Sequence, residues 1–241
     1  MESAADTDPH PPPPAVRSAD YGTVAAVYPL LTWLLTGGGA LRTQRRLLRH
    51  VCAGDRVLHA GCGPGPFNAD LARTGAVVTY VDIAPEMVAR ARAQVQAVGG
   101  PDLPHRFIAG DITRLPDSPR PEDSLYDVVI AAFFLNTFSW QDSRRVLAGL
   151  CDLVAPGGTL CIADECRSDS PLLARMLDLG RSPTLWMYRL FTGQPVHDLY
   201  DYDPELEALG WEVVDRERDA RDYLQATAWR RRASDQAGAV R

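Results

Sequence analysis

The sequence predicts an α/β protein built on a doubly wound parallel sheet. Strand-like and helix-like stretches alternate along much of the 241-residue chain, as they do in repeated βα units. The run VVTYV at Val77–Val81 is typical of a strand buried on both faces of a parallel sheet. A glycine-rich turn, Gly61–Gly65, follows the first predicted strand. Ligands of such sheets bind beyond the carboxyl ends of the central strands, so we expect the functional site there.

The amino-terminal elements lead into this turn. Asp20–Leu35 is amphipathic and predicts one or two helices, broken near its proline. Leu41–Val51 has apolar residues at helical spacing and a basic face, and it predicts another helix. Arg56–Ala60 is a short strand. Pro66–Arg73 is a helix whose proline suits the first turn, and Val77–Val81 is the next strand.

The middle of the chain continues the alternation. Pro85–Val98 predicts a helix and Arg106–Ala109 a strand. Asp127–Phe133 predicts the fourth strand, because it is apolar along most of its length. Gln141–Val154 predicts a helix and Thr159–Ala163 the fifth strand.

The last third of the chain has a different character. Ser170–Leu190 predicts a helix that becomes aromatic towards its end, where Trp186 and Tyr188 lie. Two strand-like runs follow, Glu212–Asp215 and Tyr223–Trp229. Only a short loop separates them, so we expect them to be antiparallel.

Composition limits the possible classes of function. Hydrophobic residues make up 46% of the chain and charged residues 23%, so a packed core is expected. The net charge of -6 disfavours a nucleic-acid partner. The five cysteines are scattered and form no CxxC pair, which argues against a metal site or a disulfide framework. The acidic start is not a secretory signal, and no apolar run predicts a membrane span. The scattered cysteines fit a reducing cytoplasm, and we expect a monomer or a homodimer.

The boundaries of the domain follow from composition at the two ends. Residues 1–18 are rich in proline, including PHPPPP, and predict a disordered tail because proline lacks a backbone donor. Residues 19–230 form the predicted domain, and residues 231–241 predict a second disordered tail.

The glycine turn itself indicates the kind of ligand. Pro64 and Pro66 remove two N–H groups that a phosphate would need at the start of the helix. No GK[ST] sequence is present, so the turn is not a nucleoside-triphosphate loop. Asp82 ends the second strand and can accept both hydroxyls of an unphosphorylated ribose, and Asp111 ends the third strand, where it can face an exocyclic amine. The pattern favours a nucleoside without a phosphate at the turn.

These residues resemble the motifs of class I S-adenosyl-L-methionine (SAM)-dependent methyltransferases. The stretches that carry the resemblance are VLHAGCGPG, VDIAPEMVARAR, AGDI, YDVVIAAFFLNTF and LVAPGGTLCIAD. The resemblance covers about 53–164 and extends loosely to the last two strands. It implies a seven-stranded Rossmann-like sheet in the order 3-2-1-4-5-7-6 with the last strand antiparallel, together with N-terminal helices and a helical lid.

The resemblance implies SAM as cofactor and assigns roles to individual residues. It implies that backbone of the turn lies against the methionine part of SAM, that Asp82 takes the ribose and that Ala131 offers backbone near the sulfonium. Ile83 and Met87 would flank the adenine, Asp111 would accept from its amine, and Ile112 would pack beside it. Tyr28 resembles an aromatic residue that closes over SAM in small-molecule members of the family. The cofactor-binding residues implied in this way are Tyr28, Gly61, Cys62, Gly63, Asp82, Ile83, Met87, Asp111, Ile112 and Ala131. His59 departs from the family, because most relatives have Asp or Glu there.

The acceptor of the methyl group is expected to be a small apolar or aromatic metabolite. Aromatic and amide side chains follow the fourth strand and end the lid helix, and the candidate substrate residues are Phe133, Phe134, Asn136, Trp186 and Tyr188. A general base is needed only if the acceptor must lose a proton, and the candidates are His197, Asp164 and Glu165.

Two alternatives to methyl transfer stay open. MYRLFTGQPVHDLYDY and the altered first motif resemble rhodoquinone-biosynthesis proteins, in which the same fold uses SAM for a different transfer. The chain could also be a non-catalytic, SAM-binding partner protein.

Overall fold

The computed structural model describes residues 38–99, 104–112, 125–172, 175, 199–220 and 222–232. They form a seven-stranded sheet in the order β3-β2-β1-β4-β5-β7-β6. The strands are β1 (Arg56–Ala60), β2 (Val77–Asp82), β3 (Arg106–Ala109), β4 (Tyr126–Ala132), β5 (Val154–Glu165), β6 (Trp211–Arg218) and β7 (Leu224–Arg231). The five strands β1 to β5 pair in parallel, whereas β7 is antiparallel to both β5 and β6. The predicted fold class and strand order are confirmed.

Helices cover both faces of the sheet. They are α1 (Gly39–Arg46), α2 (Phe67–Ala72), α3 (Pro85–Gly99), α4 (Trp140–Asp152) and α5 (Asp203–Ala208), with 3-10 turns at Leu47–His50 and Leu135–Thr137. Within the described ranges, no helix combines the length and the apolar character that crossing a membrane requires.

The core is divided by the sheet into two layers, as the two-residue period of a strand requires. Leu58 of β1 belongs to the layer that packs on α4, with Leu147 and Leu150. Its neighbour Val57 belongs to the opposite layer, with Phe67 and Leu71 of α2. All six side chains are buried. Burial on both faces explains why the central strands contain so few charged residues.

Most of the predicted helices and strands agree with the structure, but some of their ends differ. The predicted helix 141–154 is wrong at its end, because α4 ends at Asp152 and Val154 already opens β5. The fifth strand is longer than predicted, and its early part pairs with Tyr126 across a register shift. Helix α5 was not predicted. Arg231 closes β7, so the predicted tail 231–241 begins too early by at least this residue.

Several predictions lie outside the described residues. They concern the tail at 1–18, the helices at 20–35, most of the lid helix at 170–190, and the four site residues Tyr28, Trp186, Tyr188 and His197.

Candidate active site

The candidate site lies along the carboxyl edge of the parallel strands. Strand pairing brings the ends of β1, β2 and β4 side by side, with Ala60 opposite both Val81 and Ala131. Strand β3 ends beside Asp82, and β5 ends beside β4. The structure therefore brings together, at one edge, the turn after β1 and the predicted residues that follow β2, β3, β4 and β5.

Two N–H groups of the glycine turn, those of Cys62 and Gly63, are used inside the protein. Gly61 and Gly63 have φ of 63° and 52°, which glycine adopts without the strain that a Cβ would cause. The Cys62 N–H donates to the carbonyl of Val81 at 2.9 Å, and the Gly63 N–H donates to Oδ2 of Asp82 at 2.9 Å. Proline supplies no N–H at 64 or 66. Positions 62, 63, 64 and 66 therefore have no free donor for a phosphate.

The carbonyl groups of the turn are held by two side-chain amides. Nδ2 of Asn68 donates to the carbonyls of Cys62 at 3.3 Å and Gly63 at 3.0 Å. Nε2 of Gln94, from α3, donates to the carbonyl of Pro64 at 2.6 Å. Neither amide was predicted from the sequence. Asn68 could have been found as a polar residue on the first turn of the following helix, whereas Gln94 is too distant in sequence to give a signal.

Asp82 links the turn to the next helix. Its Oδ2 accepts from Gly63, and its Oδ1 accepts from the N–H of Ala84 at 3.0 Å, directly before α3. Burial raises the pKa of the Asp82 carboxyl, and the backbone N–H groups of Ala84 and Gly63 oppose that shift. Each carboxylate oxygen has two lone pairs, so these bonds leave acceptor capacity for ribose hydroxyls.

The residues predicted to surround adenine lie beside Asp82. Met87 is buried with Ala84 in a small cluster apart from the two main core layers. The Gly110 N–H donates to the Asp82 carbonyl at 2.9 Å, which places Asp111 at the same edge. Ile112 is buried in the core layer under α4, whereas Ile83 is half-buried.

An aromatic side chain covers the first glycine of the turn. A Cβ at Gly61 would lie 2.1 Å from Cδ2 of Phe134, so the ring is in direct contact with the glycine backbone. Phe134 also meets Phe138 edge to face at 5.0 Å. Phe133 adopts a φ of 52°, a left-handed conformation that is rare outside glycine. This bend after β4 gives the two successive phenylalanines different core layers.

A buried carboxylate organises the region between β4 and β5. Asp164 is 7% exposed, and its Oδ1 accepts from Nδ2 of Asn136 at 2.7 Å and from the N–H of Glu165 at 2.8 Å. Its Oδ2 accepts from the hydroxyl of Tyr202 at 3.1 Å. Burial and the Asp164 charge raise the pKa of Tyr202, so this hydroxyl stays protonated. Tyr202 was another residue that the sequence analysis missed.

His59 lies inside the protein rather than at the open edge. It is 1% exposed and makes edge contacts with the rings of Phe67 at 5.4 Å and Tyr80 at 6.0 Å. Burial lowers the pKa of His59 to about 4, an effect that the Asn68 side chain opposes only in part. The imidazole is therefore neutral at pH 7.

No group of three or more His, Cys, Asp or Glu that could hold a metal ion is found among the residues that the structure describes.

Comparison with known proteins agrees with this geometry. Residues 57–158 match the family model described as a methyltransferase domain. The demethylmenaquinone methyltransferase of Thermus thermophilus is 33% identical over 148 residues, which is 60% of this chain and 63% of that enzyme. The chain thus spans less than two thirds of that relative.

Two solved structures share the fold. The magnesium protoporphyrin IX methyltransferase of Synechocystis PCC 6803 has a TM-score of 0.61 at 18% identity. The match covers 88% of this chain and 100% of that one. The 1,6-didemethyltoxoflavin-N1-methyltransferase of Burkholderia thailandensis has a TM-score of 0.58 at 18% identity, covering 92% of this chain and 93% of that one. The resemblance found in the sequence is confirmed.

Proposed function

We propose that this chain transfers the methyl group of SAM to a small apolar or aromatic metabolite. Its match to a methyltransferase-domain family model over residues 57–158 supports the proposal. The observation that carries the proposal is the glycine turn joined to Asp82. The N–H groups of Cys62 and Gly63 are used internally, and positions 64 and 66 have none, so the turn suits a nucleoside whose near end is an amino acid rather than a phosphate. The Burkholderia neighbour holds S-adenosylhomocysteine (SAH), the demethylated product, in its own structure.

Different residues of the carboxyl edge would contact different parts of SAM. The turn at Gly61–Gly63 would lie against the methionine end, and Asp82 would accept from the ribose hydroxyls. Ile83 and Met87 would flank adenine, and Asp111 would accept from its amine. Ile112, Ala131 and Tyr28 keep the roles that the resemblance implies.

The reaction itself would be a direct displacement at the methyl carbon. The acceptor atom forms a bond to that carbon as the bond to sulfur breaks, and SAH leaves with the electron pair. The protein mainly has to align the two reactants in a dry pocket, which can contribute about 7–11 kcal/mol. Phe134 and Phe138 supply an apolar wall beside the turn, which suits an apolar or aromatic acceptor.

Asn136 offers a specific contact for that acceptor. A carboxylate only accepts hydrogen bonds, so the amide of Asn136 must turn its NH₂ towards Asp164. Its carbonyl oxygen is then directed away from Asp164 and can accept an O–H or N–H. We therefore favour a hydroxyl or amine acceptor over one that lacks a donor.

The three candidate bases differ in their surroundings. Asp164 already accepts from Asn136, Glu165 and Tyr202, so we assign it to positioning rather than to proton removal. Glu165, at the end of β5, and His197, outside the described residues, stay predictions as bases.

Methyl-labelled SAM tests the proposal directly. The chain is incubated with labelled SAM and a matched set of aromatic acceptors, namely a phenol, the corresponding aniline and the methyl ether that lacks a donor. Mass spectrometry should find the label on the phenol or the aniline and not on the ether. Consumption of SAM without labelled product would indicate the non-methyl transfer, and binding without consumption would indicate the partner protein. Absence of SAM and SAH binding at millimolar concentration would overturn the proposal.

A further inference from the structure

Beneath the glycine turn lie two buried polar side chains that the methyl-transfer chemistry does not use. His59 ends β1 at 1% exposure, and Asn68 lies in the first turn of α2 at 0% exposure. Both amide hydrogens of Asn68 are directed at the carbonyls of Cys62 and Gly63. The hydroxyl of Tyr80 donates to the Asn68 backbone carbonyl at 3.0 Å and fixes the start of the helix. Asn68 thus connects the helix to the turn.

Each of the two side chains has a buried polar atom without a hydrogen bond to the described residues. Nδ1 of His59 and Oδ1 of Asn68 are fully buried, and neither meets the geometry of a complete hydrogen bond within the described residues. The two side chains share their neighbours. The His59 ring contacts Phe67, which directly precedes Asn68, and Tyr80, whose hydroxyl donates to the Asn68 carbonyl. The Asn68 side chain accordingly opposes the lowering of the His59 pKa. A buried donor and a buried acceptor that stay apart each destabilise the fold, so small adjustments that join them are favourable.

The orientation of the Asn68 amide depends on what it faces. If the amide were rotated by half a turn, its oxygen would face the carbonyl oxygens of Cys62 and Gly63, which also only accept. The observed orientation therefore leaves Oδ1 in need of a donor, and the buried Nδ1 of His59 supplies one if the neutral imidazole carries its proton there.

We propose that His59 is a positioning residue for the glycine turn: it donates from a protonated Nδ1 to Oδ1 of Asn68, and this bond fixes the amide that holds the turn. The neutral pair would stand where most relatives have an acid, and the turn would be ordered without a buried negative charge. The pair acts on the shape of the turn and forms or breaks no covalent bond. Its effect on the cofactor rests on the proposed function, since that assigns SAM to this turn.

The tautomer of His59 can be measured in the unaltered protein. Imidazole ¹⁵N chemical shifts and their long-range proton couplings distinguish a proton on Nδ1 from one on Nε2. We expect a neutral ring at pH 7 with the proton on Nδ1. A ring protonated on Nε2 would overturn the proposal whatever the behaviour of any variant.

Two substitutions of His59 distinguish the effect of its N–H donor from the effect of its volume in the core. His59→Asn keeps an N–H donor near the place of Nδ1, whereas His59→Leu fills the core without one. Amide exchange of Cys62 and Gly63 should speed up about tenfold in His59→Leu, the change expected for one lost hydrogen bond, and return to within about threefold of the parent in His59→Asn. Thr227→Val is the matched control, because it removes another buried, unpartnered polar atom on β7. It should leave the exchange of the turn unchanged.

Cofactor affinity gives the second measurement. Calorimetry with SAH should show about tenfold weaker binding for His59→Leu and recovery in His59→Asn, while melting temperatures confirm that both variants fold. Equal exchange and equal affinity in all four proteins would contradict the proposal, and so would a His59→Asn variant as impaired as His59→Leu. If the parent binds no SAH, the proposed function fails, but the exchange rates and the tautomer still decide whether the pair exists.

Discussion

The burial of His59 makes the stability of the fold depend on pH in a way that can be calculated. The pKa of His59 is about 4 in the folded protein and 6.5 for an ordinary histidine. Between these values the unfolded chain binds a proton that the folded chain does not. The contribution of His59 is therefore fully present above pH 6.5 and is lost as the pH falls towards 4.

The size of the effect follows from the two pKa values. At pH 5 the proton shifts the folding equilibrium by a factor of about thirty relative to pH 8, which corresponds to about 2 kcal/mol. Below pH 4 the loss would level off at about 3 kcal/mol. At pH 5 the ordinary carboxyl groups are still largely ionised, so this pH isolates the histidine best.

Urea unfolding at pH 8 and pH 5 measures the effect, with the buried Trp211 and Trp229 as fluorescent probes. The parent should lose about 2 kcal/mol more than His59→Asn between the two pH values. His50 and His105 are present in both proteins, so their contributions cancel. Equal losses in parent and variant would refute the burial of a neutral His59.

Three further predictions concern the site. Asp82→Asn should weaken SAH binding by about 1.5–3 kcal/mol in calorimetry, because the ribose loses charge-assisted bonds, and unchanged affinity would remove Asp82 as the ribose ligand. Gly61→Ala should cost about 1–3 kcal/mol in thermal unfolding, because its Cβ would meet the Phe134 ring and its φ is 63°, and the added Phe134→Leu should recover part of that loss. Tyr202→Phe should lower kcat/KM about tenfold, because the buried Asp164 loses a donor, while the Kd for SAH stays within about twofold; a change confined to Kd would contradict this.

Most of the fold could be predicted from the sequence, because the apolar residues of the central strands directly reflect their burial on both faces. Val57 and Leu58 are both apolar because β1 is covered on both faces, and the glycine turn marks where that strand ends. The beginning of β5 was missed because Pro156 and the two glycines after it look like a loop, although the segment is part of the strand. Local pattern cannot show that it pairs with Tyr126.

Only those site residues that lie at or just after the ends of strands could be predicted from the sequence. Asp82 was found because it closes β2, whereas Gln94 and Tyr202 reach the site from helices and loops distant in sequence. The position of His59 was accessible in principle. It alternates with Leu58 and so shares the face of Val57, which packs under α2. That alternation places the imidazole beneath the turn rather than among the groups open to a ligand.

The place of β7 in the sheet has a consequence for synthesis on the ribosome. β7 is the last strand in the described part of the sequence, yet it lies between β5 and β6 and pairs with both. A nascent chain that still lacks residues 224–231 therefore presents two open strand edges, one of them on the apolar second half of β5. Open edges of this kind pair readily with other chains. During translation the sheet stays incomplete, and exposed to association with neighbouring nascent chains, until these eight residues have left the exit tunnel.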